Sequence, residues 1–315
     1  MARRFFAVPY ALVVGIALVV VVLPLVLPSG FYLRVAALVY INAIAVIGLN
    51  LLMGYAGQVS LGHAGFFGIG AYAVSLGPAV LKLPVWLSLI AGALLSGVMA
   101  FAVGRPILRL RGYYLAVATL GLGLLIWMFF NNASDLTGGP NGMQVPRLVL
   151  FGWRATSPST WYWISGATLV LGIWIALNLI NSPTGRAFRA IHDSETASRV
   201  LGIDIARYKS LVFVLSAVYA AIAGSYFSLF DGFVTPDTCG FIRSIEFVVM
   251  AVLGGLGSIL GSIVGAGILV VLPQALTVFQ EYEEIVLGLI MIVFMIFLPA
   301  GVVPSVIARL RWRTA

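Results

Sequence analysis

The stretch Gly54-Tyr-Ala-Gly-Gln-Val-Ser-Leu-Gly-His-Ala-Gly-Phe-Phe-Gly-Ile-Gly70 decides how this part of the chain folds, because six of its residues are glycine. A glycine weakens a helix by about 1 kcal/mol relative to alanine. The cluster therefore predicts a helix that is broken or sharply turned. The alternative is close packing, in which Ala56, Ser60, Ala64 and Gly68 form a row of small residues at four-residue intervals.

The composition places this stretch in a membrane. Of the 315 residues, 62% are apolar and only 9% are charged, against about 25% charged residues in an ordinary soluble domain. A soluble protein could not hide so much apolar surface. The net charge of +8 is best explained by basic cytoplasmic loops, and no basic run is interleaved with aromatics as nucleic-acid binding would require. The single cysteine, Cys239, excludes an internal disulfide.

A helix broken at membrane depth must have its free backbone groups covered by protein or by a water-filled cavity. Gly57 and the polar side chains beside the break are then candidates for the lining of a translocation pathway; these side chains belong to Gln58, Ser60 and His63. For His63 alone, a hydrogen-bonded structural role is the more frequent one for such a histidine.

The apolar stretches predict an all-α polytopic membrane protein that forms one transmembrane domain over residues 1–315. Eight stretches have about the length of a span: 8–27, 35–53, 64–80, 84–103, 113–131, 161–180, 210–230 and 285–303. Dividing the long region 245–278 into 245–257 and 258–278 gives ten spans with both termini in the cytoplasm. This division agrees with the excess of Lys and Arg expected on the cytoplasmic side. Five spans per half permit an inverted repeat, although no residue-level repeat is visible.

A second glycine-rich segment lies in the region 245–278, which is divided into two predicted spans. Small residues recur there in two series with four-residue intervals. One series is Gly254, Ser258 and Ser262, and the other is Gly257, Gly261 and Gly265. Such spacing predicts a smooth helix face for close packing. This expectation conflicts with a turn at Gly257, which the distribution of Lys and Arg nevertheless requires.

Two hydrophilic segments lie between the spans. The predicted periplasmic loop 132–160 contains a dense turn cluster with Thr137, Gly138, Gly139 and Asn141; it is either a docking surface for an external protein or an ordinary long loop. The predicted cytoplasmic segment 182–209 contains a candidate short helix over 186–201, with Gly202 placed to end it. This segment either docks on a soluble partner or is a solvated loop.

Several motifs are absent from the sequence. There is no G-x-x-x-x-G-K-[ST], so the chain is not its own P-loop ATPase. No metalloprotease motif or nucleophile elbow supports an intramembrane enzyme. Apart from Glu246, carboxylates at mid-membrane positions are scarce, which disfavours an ion-coupled secondary transporter.

Four stretches together carry a resemblance to a known family. They are Asn50-Leu-Leu-Met-Gly-Tyr-Ala-Gly-Gln-Val-Ser-Leu-Gly-His-Ala-Gly-Phe-Phe-Gly-Ile-Gly-Ala-Tyr72, Leu136-Thr-Gly-Gly-Pro-Asn-Gly142, Arg186-Ala-Phe-Arg-Ala-Ile-His-Asp-Ser-Glu-Thr-Ala-Ser-Arg-Val-Leu-Gly-Ile203 and Leu253-Gly-Gly-Leu-Gly-Ser-Ile-Leu-Gly261. Over about residues 33–305 the chain resembles the permease subunits of bacterial branched-chain amino acid ABC importers. It is similar to the permease type with the long Thr-Gly-Gly-Pro-Asn-Gly loop.

The resemblance implies an inner-membrane protein with the ABC importer permease fold and several partners. These are a second homologous permease, two cytoplasmic ATPases that bind ATP and Mg²⁺, and a periplasmic binding protein that docks on loop 132–160; the chain itself would carry no cofactor. It also implies that segment 182–209 couples to the ATPase, through Arg186, Arg189, Asp193, Glu195, Ala197, Arg199 and Gly202. Gly202 is seven residues after Glu195, where the usual pattern has six. The family includes permeases for urea and short amides, so those substrates remain an alternative.

Overall fold

The computed structural model describes residues 2–26, 29–110, 112–150, 153–155, 157–275, 288–289, 292–293, 296–298 and 300–312, and it is almost entirely helical there. The helices are α1 (Ala2–Val26), α2 (Gly30–Asn50), α3 (His63–Val80), α4 (Val85–Ile107), α5 (Tyr113–Asn132), α6 (Ser134–Thr137), α7 (Pro158–Asn181), α8 (Pro183–Asp193), α9 (Glu195–Val200), α10 (Ile205–Asp231), α11 (Phe241–Gly254), α12 (Ile259–Ala275) and α13 (Val302–Trp312). Four two-residue strands form antiparallel pairs: β1 (Met143–Gln144) with β4 (Phe233–Val234), and β2 (Val149–Leu150) with β3 (Trp153–Arg154).

Long apolar helices confirm the prediction of a polytopic membrane protein. Within the described residues, five segments have the length and composition of a membrane span: Gly30–Tyr55, Val85–Ile107, Tyr113–Asn132, Pro158–Asn181 and Ile205–Asp231. Two shorter apolar helices are Ala11–Val26 and Ile259–Gln274. The predicted span 285–303 is described only in part, at residues 288–289, 292–293, 296–298 and 300–303, so the count of ten spans and the inverted repeat stay predictions.

The centre of the bundle is α2, which is buried continuously from Tyr40 to Met53 through the turn that follows it. A helix that is apolar on every side is stable only when other helices surround it. Helix α10 packs against α2, α3 and α4. Glycines set the closest of these contacts, since a Cβ on Gly70 would lie 1.9 Å from the Ala221 carbonyl oxygen and one on Gly224 would lie 1.8 Å from that of Phe67.

The helix break predicted from the glycine cluster is present. Helix α2 widens into a π-helical turn over Leu51–Tyr55, and residues 56–62 are not helical. The chain becomes helical again at His63. The four positions of the small-residue row therefore do not lie along one helix, because Ala56 and Ser60 lie within the break whereas Ala64 and Gly68 lie in α3.

The turn predicted at Gly257 is also present, and it joins α11 and α12 as a hairpin. Gly255 and Gly257 have φ angles of +116° and +75°, which favour glycine at both positions. Small residues face each other across this hairpin: a Cβ on Gly254 would lie 1.9 Å from the Gly261 carbonyl oxygen. The four-residue spacing and the turn are thus compatible, because the small faces of two short helices pack against each other.

The side chain of Asn50 joins the break to the hairpin turn. Its Oδ1 accepts a hydrogen bond from the Gly257 amide at 2.8 Å. Its Nδ2 donates to the Ser258 carbonyl oxygen at 3.0 Å and to Ser262 Oγ at 2.8 Å, with a longer bond of 3.3 Å to the Gly255 carbonyl oxygen. Asn50 is fully buried. One amide therefore satisfies backbone groups that the turn leaves without helical partners.

Replacing this amide tests how much the fold depends on it. We expect Asn50→Ala to lower the free energy of unfolding by on the order of 2–4 kcal/mol, because buried donors and acceptors of the turn lose their partner. Thermal unfolding of the purified chain in detergent measures the change. The control is Asn181→Ala, which removes an exposed asparagine bonded only to its own helix and should change stability by less than about 0.5 kcal/mol. Equal stability of the two variants would contradict the prediction.

Candidate functional site

Residues 56–62 and the two residues that flank them form what we call the broken segment. Gly57 is exposed and has a φ of +66°. Gln58 and Ser60 are buried, each with about 2% of its surface exposed. His63 is buried at the start of α3, where Nε2 lies 3.1 Å from the Ala45 carbonyl oxygen and Nδ1 lies 3.4 Å from Ser216 Oγ. Both ring nitrogens are thus engaged, as in a structural histidine.

Gln58 differs from these residues because its amide has unused hydrogen-bonding capacity. Neither Nε2 nor Oε1 has a hydrogen-bond partner among the described residues, although both atoms are buried. Its backbone amide is fixed by a 3.0 Å bond to the Leu52 carbonyl oxygen. A buried amide without partners is destabilising and uncommon in folded proteins. The side chain is therefore available to a ligand or water.

Segment 182–209 forms two helices, where the sequence predicted one over 186–201. Helix α8 starts earlier, at Pro183, and ends at Asp193. The single-helix prediction is wrong because Ser194 adopts an extended conformation, and its hydroxyl accepts a hydrogen bond from the Ala197 amide at the start of α9. Serine favours such N-cap positions over helix interiors. Gly202 does end α9 as predicted, with a φ of +78°.

The predicted coupling residues lie mostly at the surface of this segment. Arg186, Arg189, Asp193, Ala197, Arg199 and Gly202 are exposed. Helix α8 buries its other face, which carries Ala187, Phe188 and Ile191. At the end of α9 the apolar side chains of Val200 and Leu201 are 85% and 76% exposed. The segment thus presents a surface with both charged and apolar side chains.

Glu195 attaches α9 to the membrane bundle. Its Oε1 lies 2.5 Å from Nζ of Lys209 in α10. The Lys209 side chain is only 5% exposed, and a buried ammonium needs a paired charge because its desolvation is unfavourable. The ion pair therefore fixes the position of α9 relative to α10.

A direct contact links α8 to the broken segment. A Cβ on Gly57 would lie 2.9 Å from Cδ2 of His192 and 3.2 Å from its Cγ. Only glycine leaves room for the imidazole ring at this distance, and the positive φ favours glycine independently. Helix α8 and the broken segment are therefore in close contact at this point.

Hydrogen bonds give the loop 132–160 a defined internal structure. Thr137 is fully buried, and its hydroxyl donates to the Phe130 carbonyl oxygen at 2.6 Å and accepts from the Gly139 amide at 3.2 Å. Gly139 is buried as well, whereas Gly138 and Asn141 are exposed. The β1–β4 pair ties this loop to the end of α10. Thr137 and Gly139 thus shape the loop, and the exposed pair is accessible to another protein.

Three residues of this site were not predicted from the sequence. Asn50, His192 and Lys209 make the contacts that join the hairpin, α8 and α9 to the bundle. Asn50 could have been noticed as an amide at the end of an apolar run, directly before the glycine cluster. The other two carry no such signal, because each meets its partner only through the packing of separate helices. In the part of the chain that the structure describes, no group of three His, Cys, Asp or Glu residues could hold a metal.

The effect on stability of the contact between His192 and residue 57 can be separated from the effect of backbone strain at that residue. Gly57→Ala and Gly202→Ala share the strain of a side chain at positive φ, about 1–2 kcal/mol, but no described atom lies within 4 Å of a Cβ at Gly202. We expect Gly57→Ala to lower the unfolding temperature further, by several degrees. Adding His192→Ala should recover that difference. Equal shifts in the two single variants would show that the imidazole does not press on Gly57.

Known proteins are similar to this chain over most of its length. A protein-family model described as "Branched-chain amino acid transport system / permease component" matches residues 31–295. The chain is 34% identical to the high-affinity branched-chain amino acid transport system permease protein LivM of Salmonella typhimurium over 89% of this chain and 72% of the relative, and 34% identical to LivM of Escherichia coli K12 over 88% and 71%. Identity to LivH of Salmonella typhimurium is 28% over 82% and 90%. No solved structure matches. The chain therefore belongs to the family of branched-chain amino acid transport system permease components.

Proposed function

We propose that this protein is a transmembrane permease subunit of an ATP-binding cassette importer, and that it forms part of the pathway for branched-chain amino acids by alternating access. Family membership and the printed names of the relatives support the substrate class. The similarity to both LivM and LivH supports a second, homologous permease as partner. Two ATPases that bind ATP and Mg²⁺ would act from the cytoplasm, and a binding protein would deliver substrate from the periplasm.

The contact between His192 and Gly57 carries this proposal. Alternating access requires that a movement outside the membrane change the shape of the pathway inside it. Helix α8 lies outside the long apolar helices, yet its His192 ring rests on the backbone of the broken segment. A partner that moves α8 would bias the broken segment between two arrangements, as a coupling of two sites requires.

The surface of α8 and α9 suits a cytoplasmic partner. An amphipathic helix that buries one face in the membrane bundle can lay its outer face in a groove of another protein. The exposed arginines would contact polar groups at the rim of such a groove, and Val200 and Leu201 would fill its apolar centre. In this proposal, segment 182–209 and both termini lie in the cytoplasm, and the protein lies in the inner membrane.

Gln58 supports a pathway along the broken segment. Its buried, unpartnered amide can donate and accept hydrogen bonds with the charged ends of an amino acid. Gly57 and Ser60 would line the same passage, while His63 holds α3 against its neighbours. On the opposite side of the membrane, Gly138 and Asn141 would contact the binding protein, and the buried Thr137 and Gly139 would keep the loop in shape.

Coupling through α9 can be tested by reversing the charge of Glu195. Glu195→Lys places a second ammonium beside buried Lys209, so we expect α9 to detach and leucine uptake to fall at least tenfold while ATP hydrolysis continues. Uptake of radiolabelled leucine and phosphate release, both in proteoliposomes that contain the full importer, measure the two activities. The charge swap Glu195→Lys with Lys209→Glu restores the pair and should regain part of the uptake.

The end of α9 provides a second position for the same test. Gly202→Trp adds bulk at an exposed, positive-φ residue and should also uncouple hydrolysis from uptake. Gly202→Asn is the control, because asparagine tolerates this backbone conformation. Unchanged uptake in both Glu195→Lys and Gly202→Trp would refute the coupling role of the segment.

Gln58 can be tested by a change that separates stability from transport. Gln58→Leu replaces an unpartnered amide by an apolar group of similar size, so the unfolding temperature should stay the same or rise. Leucine uptake should fall about tenfold if the amide contacts the substrate. A variant with normal uptake would place the pathway elsewhere, and uptake of urea or acetamide in place of leucine by the unmodified importer would favour the alternative substrates.

A further inference from the structure

Helix α11 carries a charged pair, Arg243 and Glu246, that the site described above does not use. Arg243 Nη1 donates to Glu246 Oε2 at 2.6 Å, and Nη2 donates to Asn42 Oδ1 at 2.7 Å. The guanidinium also lies 4.9–5.4 Å from the ring centres of Phe67, Phe227 and Phe247. These contacts hold Arg243 in one position, whereas the hydrogen bond of Glu246 is to Arg243.

This pair lies at membrane depth. Asn42 is the thirteenth residue of the 26-residue apolar span Gly30–Tyr55. It follows Arg34 by eight residues, or about 12 Å along the helix, and Arg34 lies 3.9 Å from Asp231 at the end of α10. The guanidinium of Arg243 therefore lies well inside the layer that Arg34 and Asp231 mark at the end of the bundle.

The exposed face of α11 at this depth is both charged and apolar. The side chains of Arg243 and Glu246 are 19% and 39% exposed, and Ile242 and Ile245 are 74% and 39% exposed. Residues 242, 245 and 246 share one face of a helix. A carboxylate that faced lipid at this depth would be unfavourable, so such residues border a water-filled cavity or another protein. The other end of α11 reaches the turn that Asn50 holds beside the broken segment.

We propose that Arg243 and Glu246 bind the charged groups of an aliphatic amino acid zwitterion as it passes through the permease. The carboxylate of the substrate would bind to Arg243, its ammonium would bind to Glu246, and its side chain would lie against Ile242 and Ile245. Glu246 exchanges its bond to Arg243 for one to the ammonium, while Asn42 and the three rings keep the guanidinium in place. The inference rests on the proposed function and adds to the Gln58 position a second position on the pathway, where one helix face binds both substrate charges.

Uptake by variants of the pair is the first test. In proteoliposomes with the complete importer, we expect Glu246→Gln to reduce leucine uptake at least tenfold, as the loss of one charge-assisted hydrogen bond implies. Binding-protein-stimulated ATP hydrolysis should stay within twofold, because coupling residues are untouched. Arg243→Lys keeps the charge but not the planar donor geometry and should give an intermediate loss. Asp231→Asn is the matched control; it breaks the exposed pair with Arg34 and should leave uptake within twofold.

Cysteine labelling tests whether the face is wet and occupied by substrate. Ile242→Cys should react with a water-soluble, charged thiol reagent, and saturating leucine with the binding protein should slow the reaction at least fivefold. Leu125→Cys, on the exposed apolar surface of α5, should not react, and the native Cys239 is buried.

Three results would overturn the inference and leave the proposed function standing. Uptake by Glu246→Gln within twofold of the unmodified importer would show that the carboxylate does not contact substrate. Absence of labelling at Ile242→Cys would show that the face is covered. Release of the second permease from purified Glu246→Gln complex would assign the pair to the subunit interface. Failure of the unmodified importer to take up leucine would refute the proposed function itself, and the inference with it.

Discussion

The hydrogen bonds of Asn50 are the interaction on which the arrangement of this membrane protein depends. A helix that ends inside the apolar layer leaves carbonyl and amide groups without partners, and lipid cannot supply them. Two such places lie in the described residues, namely the break after α2 and the turn between α11 and α12. One buried amide, at the last residue of α2, bonds to both backbone and side-chain groups of the turn. Each irregular segment therefore provides the surroundings that allow the other to exist.

This joining makes a continuous mechanical connection across the bundle. The ion pair of Glu195 with Lys209 fixes α9, and the ring of His192 rests on Gly57 in the broken segment. The π-helical turn that precedes the broken segment contacts the hairpin turn through Gly54, where a Cβ would lie 2.2 Å from the Gly257 amide nitrogen. Helix α11 then extends from that turn to Arg243 and Glu246. Close packing suits the transfer of small movements along this route.

Sequence patterns predicted the helices well because each long apolar run is close to the length of a span. The predicted span 113–131 corresponds to helix Tyr113–Asn132 in the structure, and the predicted span 64–80 corresponds to helix His63–Val80. The break in residues 54–62 and the turn at Gly257 were also predictable, since clustered glycines weaken helices and positive charges limit topology. The single helix over 186–201 was not correct, because one hydroxyl at Ser194 outweighed the weak helical pattern around it. For the candidate pathway residues, the sequence could not show that the ring of His63 is hydrogen-bonded. Nor could it show that the side-chain amide of Gln58 has no partner among the described residues.

The sequence by itself determined that the chain is a helical membrane protein of a recognisable permease type, where its helices lie and where they break. These properties depend on local composition and spacing, which every segment carries independently. Only the tertiary structure decided that Asn50 meets Gly257, that His192 covers Gly57, and that Arg243 reaches Asn42 at membrane depth. Such contacts join residues up to about 200 positions apart. Their geometry follows from how whole helices pack, and no local pattern in the sequence encodes it.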